Sequence, residues 1–181
     1  MTLEEHLGGH NGVTHTDEGA LQWAIDNLNV RTMLDVGCGP GGQVELANNI
    51  GIDAEGIDGD GTIERYDSNK FIIHDFSTGP GAIDKNYDLA WSCEFVEHVY
   101  EQYIPNYVQA MQRAKYLIMT YAPVGATGYH TQEYWIDTMS KYNFVFDESL
   151  TKEMRRNSTM GKKKKHQFLR RTGLLFRNEQ R

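Results

Sequence analysis

The sequence predicts an α/β protein built on a doubly wound, mostly parallel sheet. Two observations carry that expectation. Short apolar runs alternate with segments of helical periodicity, and the first of these runs, "MLDVGCGPGG" at residues 33–42, ends directly in a glycine-rich turn. A length of 181 residues, 39% of them hydrophobic and 24% charged, suits one domain with a sizeable core. Alternating strands and helices imply βαβ units whose crossovers cover both sheet faces. Ligands then bind at the carboxyl ends of the strands, where the strand order reverses.

Each element has its own signal. In "TDEGALQWAIDNLN", Thr16 is the expected N-cap, Asp17 and Glu18 fill the first turn, and Leu21, Ala24, Ile25 and Leu28 recur at helical spacing. "RTMLDVG" is a buried strand, and "QVELANNIG" a helix stopped at Gly51. "DAEGID", "KFIIHD" and "YDLAWSC" are the next three strands, with "STGPGAIDKN" looping between the last two. "PNYVQAMQRA" is helical with Pro105 near its start, "KYLIMTYA" is a fifth strand, and "QEYWIDTMSKY" is a helix. "NFVFDES" opens a sixth strand, and "HQFLRRTGLLFR" is expected to pair with it as a hairpin.

The bulk properties exclude several classes. No apolar run approaches the roughly 20 residues of a membrane-spanning helix. The start, "MTLEEHLGGHNG", lacks the basic and apolar regions of a signal peptide. Cys38 and Cys93, the two cysteines, suit a reducing compartment, so a cytoplasmic location is expected. The seven histidines show no zinc-ligand spacing, and no metal site is expected. The net charge of −7 is uneven: residues 1–150 hold 7 basic and 23 acidic residues, a balance of −16, whereas residues 151–181 hold 11 and 2, a balance of +9.

Gly37, Gly39 and Gly42 satisfy G-x-G-x-x-G, and Asp58 follows Gly37 by 21 positions, as in a dinucleotide site. Asp35 argues against that reading, because a pyrophosphate at the turn would meet its carboxylate. A cationic nucleoside ligand such as S-adenosylmethionine reverses the sign: Asp35 attracts it and the glycines admit its methionine part. Asp58 would accept from both ribose hydroxyls, Asp75 would take the adenine amino group with Phe76 flanking the base, and "SCEF" would close the pocket near the sulfonium.

"LDVGCGPGG", "GIDGD", "HDF" and "YDLAWSCEFVEHV", in that order, resemble the motifs of class I S-adenosylmethionine-dependent methyltransferases over residues 31 to about 121. "GGHNGVTHTDEGAL" and "EYWIDTM" are also similar to small phage and bacterial methyltransferases. The resemblance implies a Rossmann-like, seven-stranded sheet with an antiparallel last strand. It divides one domain into an N-terminal lid and helix (1–30), a cofactor half (31–121) and a substrate half (122–181). It assigns the cofactor to Asp35, Gly37, Cys38, Gly39, Gly41, Asp58, Gly59, Asp75, Phe76, Cys93 and Glu94. Asp60 is an alternative ribose acid if the second strand ends later.

Methyl transfer mainly requires alignment and exclusion of water, with a base where the acceptor is a hydroxyl. Glu97 and His98, just after the fourth strand, and His130, after the fifth, are the catalytic candidates. His10 and His15 could fold over the cofactor, and Tyr121, Tyr129, Tyr134 and Trp135 could line an acceptor pocket. No Asn-Pro-Pro-Tyr-type motif follows the fourth strand, which lowers the case for amino groups of bases or glutamine. "RRNSTMGKKKKHQFLRR" would sit at the turn of the closing hairpin, either as a solvated loop or as an anion-binding patch. The expected acceptor is small or medium in size, with a nucleic acid as the alternative and no membrane partner. A protein that binds the cofactor without catalysis is the third reading.

Overall fold

The computed structural model describes residues 12–122, 130–161 and 163–181. Its elements in chain order are α1 (Glu18–Leu28), β1 (Thr32–Val36), α2 (Gly42–Asn49), β2 (Asp53–Asp58), β3 (Phe71–Ile73), β4 (Tyr87–Ser92), α3 (Ile104–Met111), β5 (Ala114–Met119), α4 (Gln132–Ser140), β6 (Phe144–Phe146), α5 (Glu148–Asn157), α6 (Phe168–Thr172) and β7 (Leu174–Asn178). The strands form one sheet in the order β3-β2-β1-β4-β5-β7-β6. β7 runs antiparallel to both of its neighbours, and the other pairings are parallel. The expected α/β architecture with an antiparallel last strand is present.

Side-chain alternation along the strands divides the core between two faces. Leu34 and Val36 of β1, Leu117 and Met119 of β5, and Leu174 and Phe176 of β7 pack in one cluster with α3 and α4 residues such as Tyr107, Met111 and Trp135. Met33, Ile118 and Leu175 face the other way, into a cluster with Leu21 and Trp23 of α1, Val44 of α2 and Met154 of α5. By the same alternation Asp35 lies on the Met33 side, against α2. In register it stands opposite Trp91 of β4, between the two strands where the sheet order reverses. A carboxylate therefore sits in the crevice that this topology leaves open.

Two sequence expectations are corrected. Asp17 caps α1 instead of Thr16: its carboxylate accepts from the Ala20 amide at 2.9 Å, and its side chain is wholly buried. The sixth and last strands do pair, but no hairpin turn joins them. Asp147 caps a further helix, α5, through the Leu150 amide, so "DES" starts that helix and does not extend β6. The basic residues consequently lie on α5, on a one-turn 3-10 helix at Lys164–His166 and on α6. Gly51 lies just past α2 with a φ of 93°, and Pro105 occupies the first turn of α3, both as expected. No helix among the described residues is long and apolar enough to cross a membrane.

Candidate functional site

A cavity of about 500 Å³ opens at the carboxyl ends of β1 and β4. Asp35, Gly37, Cys38 and Gly39 line it from the β1 side, and Trp91, Cys93, Glu94 and His98 from the β4 side. The glycine turn curls back beneath β2, with the Gly37 and Cys38 amides both donating to the Ile57 carbonyl. Gly37 has a φ of 78°, and a Cβ there would lie 2.1 Å from the Phe95 ring. Gly41, at a φ of 84°, would meet the Phe71 ring at 2.3 Å. Both positions require glycine for backbone and space together.

Two loop amides that a pyrophosphate would use are already occupied. The Gly39 amide donates to Asp58 Oδ2 at 2.8 Å, and the Gly42 amide to Thr14 Oγ1 at 3.2 Å. The other Asp58 oxygen accepts from the Asp60 amide at 2.8 Å and from Arg65 at 3.5 Å. Arg65 also donates to the carbonyls of Gly39 and Asp60, tying the β1 and β2 loops together. Asp58 thus buttresses the glycine turn, while Asp60 holds its own turn through Thr62.

Asp35 is 3% exposed. Burial first, and the charge of Asp58 second, hold its carboxyl well above the ordinary aspartate value. The same cavity is lined by Gln43, at the start of α2, which sequence reasoning missed. Its Oε1 accepts from the Asp17 amide at 2.8 Å, and among the described residues its buried Nε2 has no partner. Thr14, His15 and His166 complete the wall. His15 packs at 4.7 Å from the Phe168 ring and 5.5 Å from His166, centroid to centroid.

On the β4 side, Glu94 adopts a φ of 54°, a left-handed conformation uncommon for a non-glycine residue. Its amide donates to Thr120 Oγ1 at 2.8 Å. Burial, and next the neighbouring Glu97, push the Glu94 carboxyl up to about 8. Burial also pushes Glu97 up to about 7, and its Oε2 is enclosed without a hydrogen-bond partner among the described residues. Both carboxyls therefore resist ionisation more than an ordinary glutamate does. Desolvation holds His98 below the ordinary histidine value, so its imidazole is neutral there. Cys38 and Cys93 are thiols pushed upward by burial, inert as nucleophiles.

A smaller hollow of about 30 Å³ holds Gly59, Asp75 and Phe76 together with Phe95 and Tyr103. The Asp75 carboxylate accepts from the Ser77 amide and hydroxyl, both at 2.8 Å. Phe76 is a core aromatic with one edge on this hollow, packed edge to face with Phe95 and Tyr107. His130 stands apart from both cavities: it pairs with Glu101 at 2.9 Å and stacks on Tyr134 at 3.7 Å. Tyr121 and Trp135 belong to the core. His10 and Tyr129 lie outside the described residues, as does Lys162 of the basic run.

No protein-family model matches the sequence, and no curated protein matches it. Solved structures do match the fold. A TehB-like SAM-dependent methyltransferase from Corynebacterium glutamicum superposes with a TM-score of 0.64 at 17% identity, over 90% of this chain and 89% of that one. Magnesium protoporphyrin IX methyltransferase from Synechocystis, with bound SAM, gives 0.56 at 16% identity over 86% and 74% of the two chains. The methyltransferase domain of a bacterial Hen1 gives 0.56 at 13% identity over 88% and 96%. The chain has the fold of the class I S-adenosylmethionine-dependent methyltransferases.

Proposed function

We propose that this chain is an S-adenosylmethionine-dependent methyltransferase that acts on an oxygen or nitrogen of a small molecule, or of one unit of a longer chain. The observation that carries the reading is the pairing, in one cavity at the sheet's switch point, of a buried acid with a buried, unpartnered amide donor. Among the described residues, Asp35 is an acid whose ionised form has no cation to offset its burial, and Gln43 Nε2 is a donor without an acceptor. An amino acid's ammonium and carboxylate answer both. A dinucleotide answers neither, and finds the Gly39 and Gly42 amides taken.

In this reading Asp35, Gln43 and the turn at Gly37, Cys38, Gly39 and Gly41 hold the methionine part. Asp58 and Gly59 face the ribose, and Asp75 with Phe76 the adenine. When bound, the cofactor supplies a methyl group already activated by its sulfonium. The chain's own work is to bind, to align and to manage one proton. Cys93 and Glu94 close the cavity floor against water. The neutral His98 imidazole, on the same wall as Glu94, takes the proton that the acceptor's hydroxyl or amine loses.

Calorimetric titration with S-adenosylmethionine, S-adenosylhomocysteine and NAD tests the reading. Binding of the first two without NAD is expected; tight NAD binding alone would overturn it. Gln43→Glu gives a finer test, because it keeps the oxygen that accepts from Asp17 and replaces only the free donor. Affinity for S-adenosylhomocysteine should fall about 10- to 100-fold, as for loss of a charge-assisted hydrogen bond. Affinity for methylthioadenosine, which lacks the carboxylate, should hold. Equal losses for both ligands would remove Gln43 from the carboxylate site.

A further inference from the structure

The methyltransferase reading leaves the acceptor's chemistry open, and the distribution of cations outside the cavity narrows it. Lys70, Lys85, Lys115, Lys141 and Lys152 each hold an Asp or Glu oxygen at 2.6–2.9 Å. Lys163, Lys164 and Lys165 do not. They are exposed, as are Arg170 and Arg171 on α6, and among the described residues none of the five forms an ion pair. Arg170 donates only to the Ser158 carbonyl and Arg171 to that of Lys165, which positions the two guanidiniums without neutralising them. An uncompensated cluster of like charge is unfavourable to the folded chain by itself and favourable to a polyanion.

This ledge adjoins the cavity. His166, in the same one-turn helix as Lys164 and Lys165, lines the cavity wall together with Glu94. Arg171 lies near enough to Glu94 to oppose, weakly, the upward push of burial and Glu97 on that carboxyl. Yet none of the five cations lines either cavity, and they do not converge on one hollow as donors do around a single phosphate. They run along residues 163–171 instead, a spread that suits successive phosphates on a chain. The acidic balance of −16 over residues 1–150 repels a polyanion elsewhere, so contact is confined to a short stretch. A single strand can present one of its units at the mouth of the cavity without opening a duplex.

We infer that this basic ledge, continuous with the cavity wall at His166, holds the phosphodiester backbone of a single-stranded nucleic acid and feeds one of its units to the methyl-transfer site. The inference rests on the methyltransferase reading for what happens in the cavity, but its test is separable from it. Fluorescence anisotropy with labelled 20-nucleotide RNA and DNA strands would be run on the full chain and on the triple variant Lys163→Ala/Lys164→Ala/Lys165→Ala, between 50 and 200 mM salt. With about 0.7 of a counterion released per neutralised phosphate, five contacts predict about a 100-fold fall in affinity across that range, and the two contacts left in the variant about a 7-fold fall. Calorimetry with S-adenosylhomocysteine on the same two proteins should show equal binding, which excludes misfolding of the variant. Equal salt slopes for the two proteins would overturn the ledge. So would inorganic phosphate or a mononucleotide binding as tightly as the strands and with the same dependence on the lysines. Loss of S-adenosylhomocysteine binding in both proteins would strike the methyltransferase reading instead, and the slopes would still judge the ledge.

Discussion

Asp35→Asn is expected to weaken S-adenosylmethionine and S-adenosylhomocysteine binding by about 100-fold or more while leaving the fold intact or steadier. The substitution keeps the side chain's volume in a site that is 3% exposed, so no cavity forms. What it removes is the acid on the β1 side of the cavity that can face a ligand's ammonium, since Asp58 is committed to Gly39, Asp60 and Arg65 and Glu94 lies on the β4 side. Truncating one member of a desolvated charge pair costs about 2–5 kcal/mol of binding. Calorimetry on the two proteins reads that loss directly, and undiminished affinity would remove Asp35 from the cofactor site.

Stability should move the opposite way, with a defined pH dependence. The folded state raises the Asp35 pKa through burial and then through Asp58. Between the unfolded value near 4 and the higher folded value, the native state therefore binds more protons than the unfolded one. Stability of the native protein is then lost as pH rises from about 4 through that window. Asp35→Asn does not titrate, so its margin over the parent should widen with rising pH in urea titrations. A site held at a cost to stability and favoured by its ligand is the usual compromise of a binding cleft.

The succession of strands along the chain and a ligand crevice at their carboxyl ends were legible because apolar runs and a glycine turn are local signals. β2 ends at Asp58 and the turn places Asp35 and Gly37 in one cavity, as the spacing of those residues implied. The missing parts are those set by distant contacts. Asp17 was read as a first-turn acid because its partners lie some 140 residues away. Helix α5 was hidden by "NFVFDES", in which a β-prone run passes straight into the N-cap Asp147 and the first-turn Glu148, a helix-start signal that the strand reading absorbed. Gln43 looked like an ordinary helix-start polar residue, and its free Nε2 depends on the Asp17 backbone occupying Oε1. The Glu94–Glu97 pair was visible as two acids, but the upward push on both carboxyls follows from burial that composition does not report.

Asp17→Ala should be the most damaging single substitution away from the cavity, lowering stability by about 3–5 kcal/mol. The carboxylate is wholly buried and joins two segments far apart in the chain. It accepts from the Ala20 amide at the start of α1, from the Thr159 amide at 2.9 Å and the Met160 amide at 3.2 Å, and from the Ser158 hydroxyl. Alanine leaves those donors facing an enclosed space, and each unsatisfied buried donor costs about 1–3 kcal/mol, only partly relieved by relaxation. With a urea dependence of about 2 kcal/mol per molar, the midpoint should fall by about 2 M. Asp17→Asn should recover part of the loss, because one oxygen still accepts while the new amide group confronts a donor. The effect should also reach the cavity. The Asp17 amide fixes Gln43 Oε1, and residues 158–160 lead into the turn that carries His166, so a loosened Asp17 frees two parts of the wall at once. Measured at a temperature where Asp17→Ala remains folded, S-adenosylhomocysteine affinity should drop along with the urea midpoint. A variant that lost stability and kept full affinity would show that the N-terminal segment holds the fold together without shaping the site.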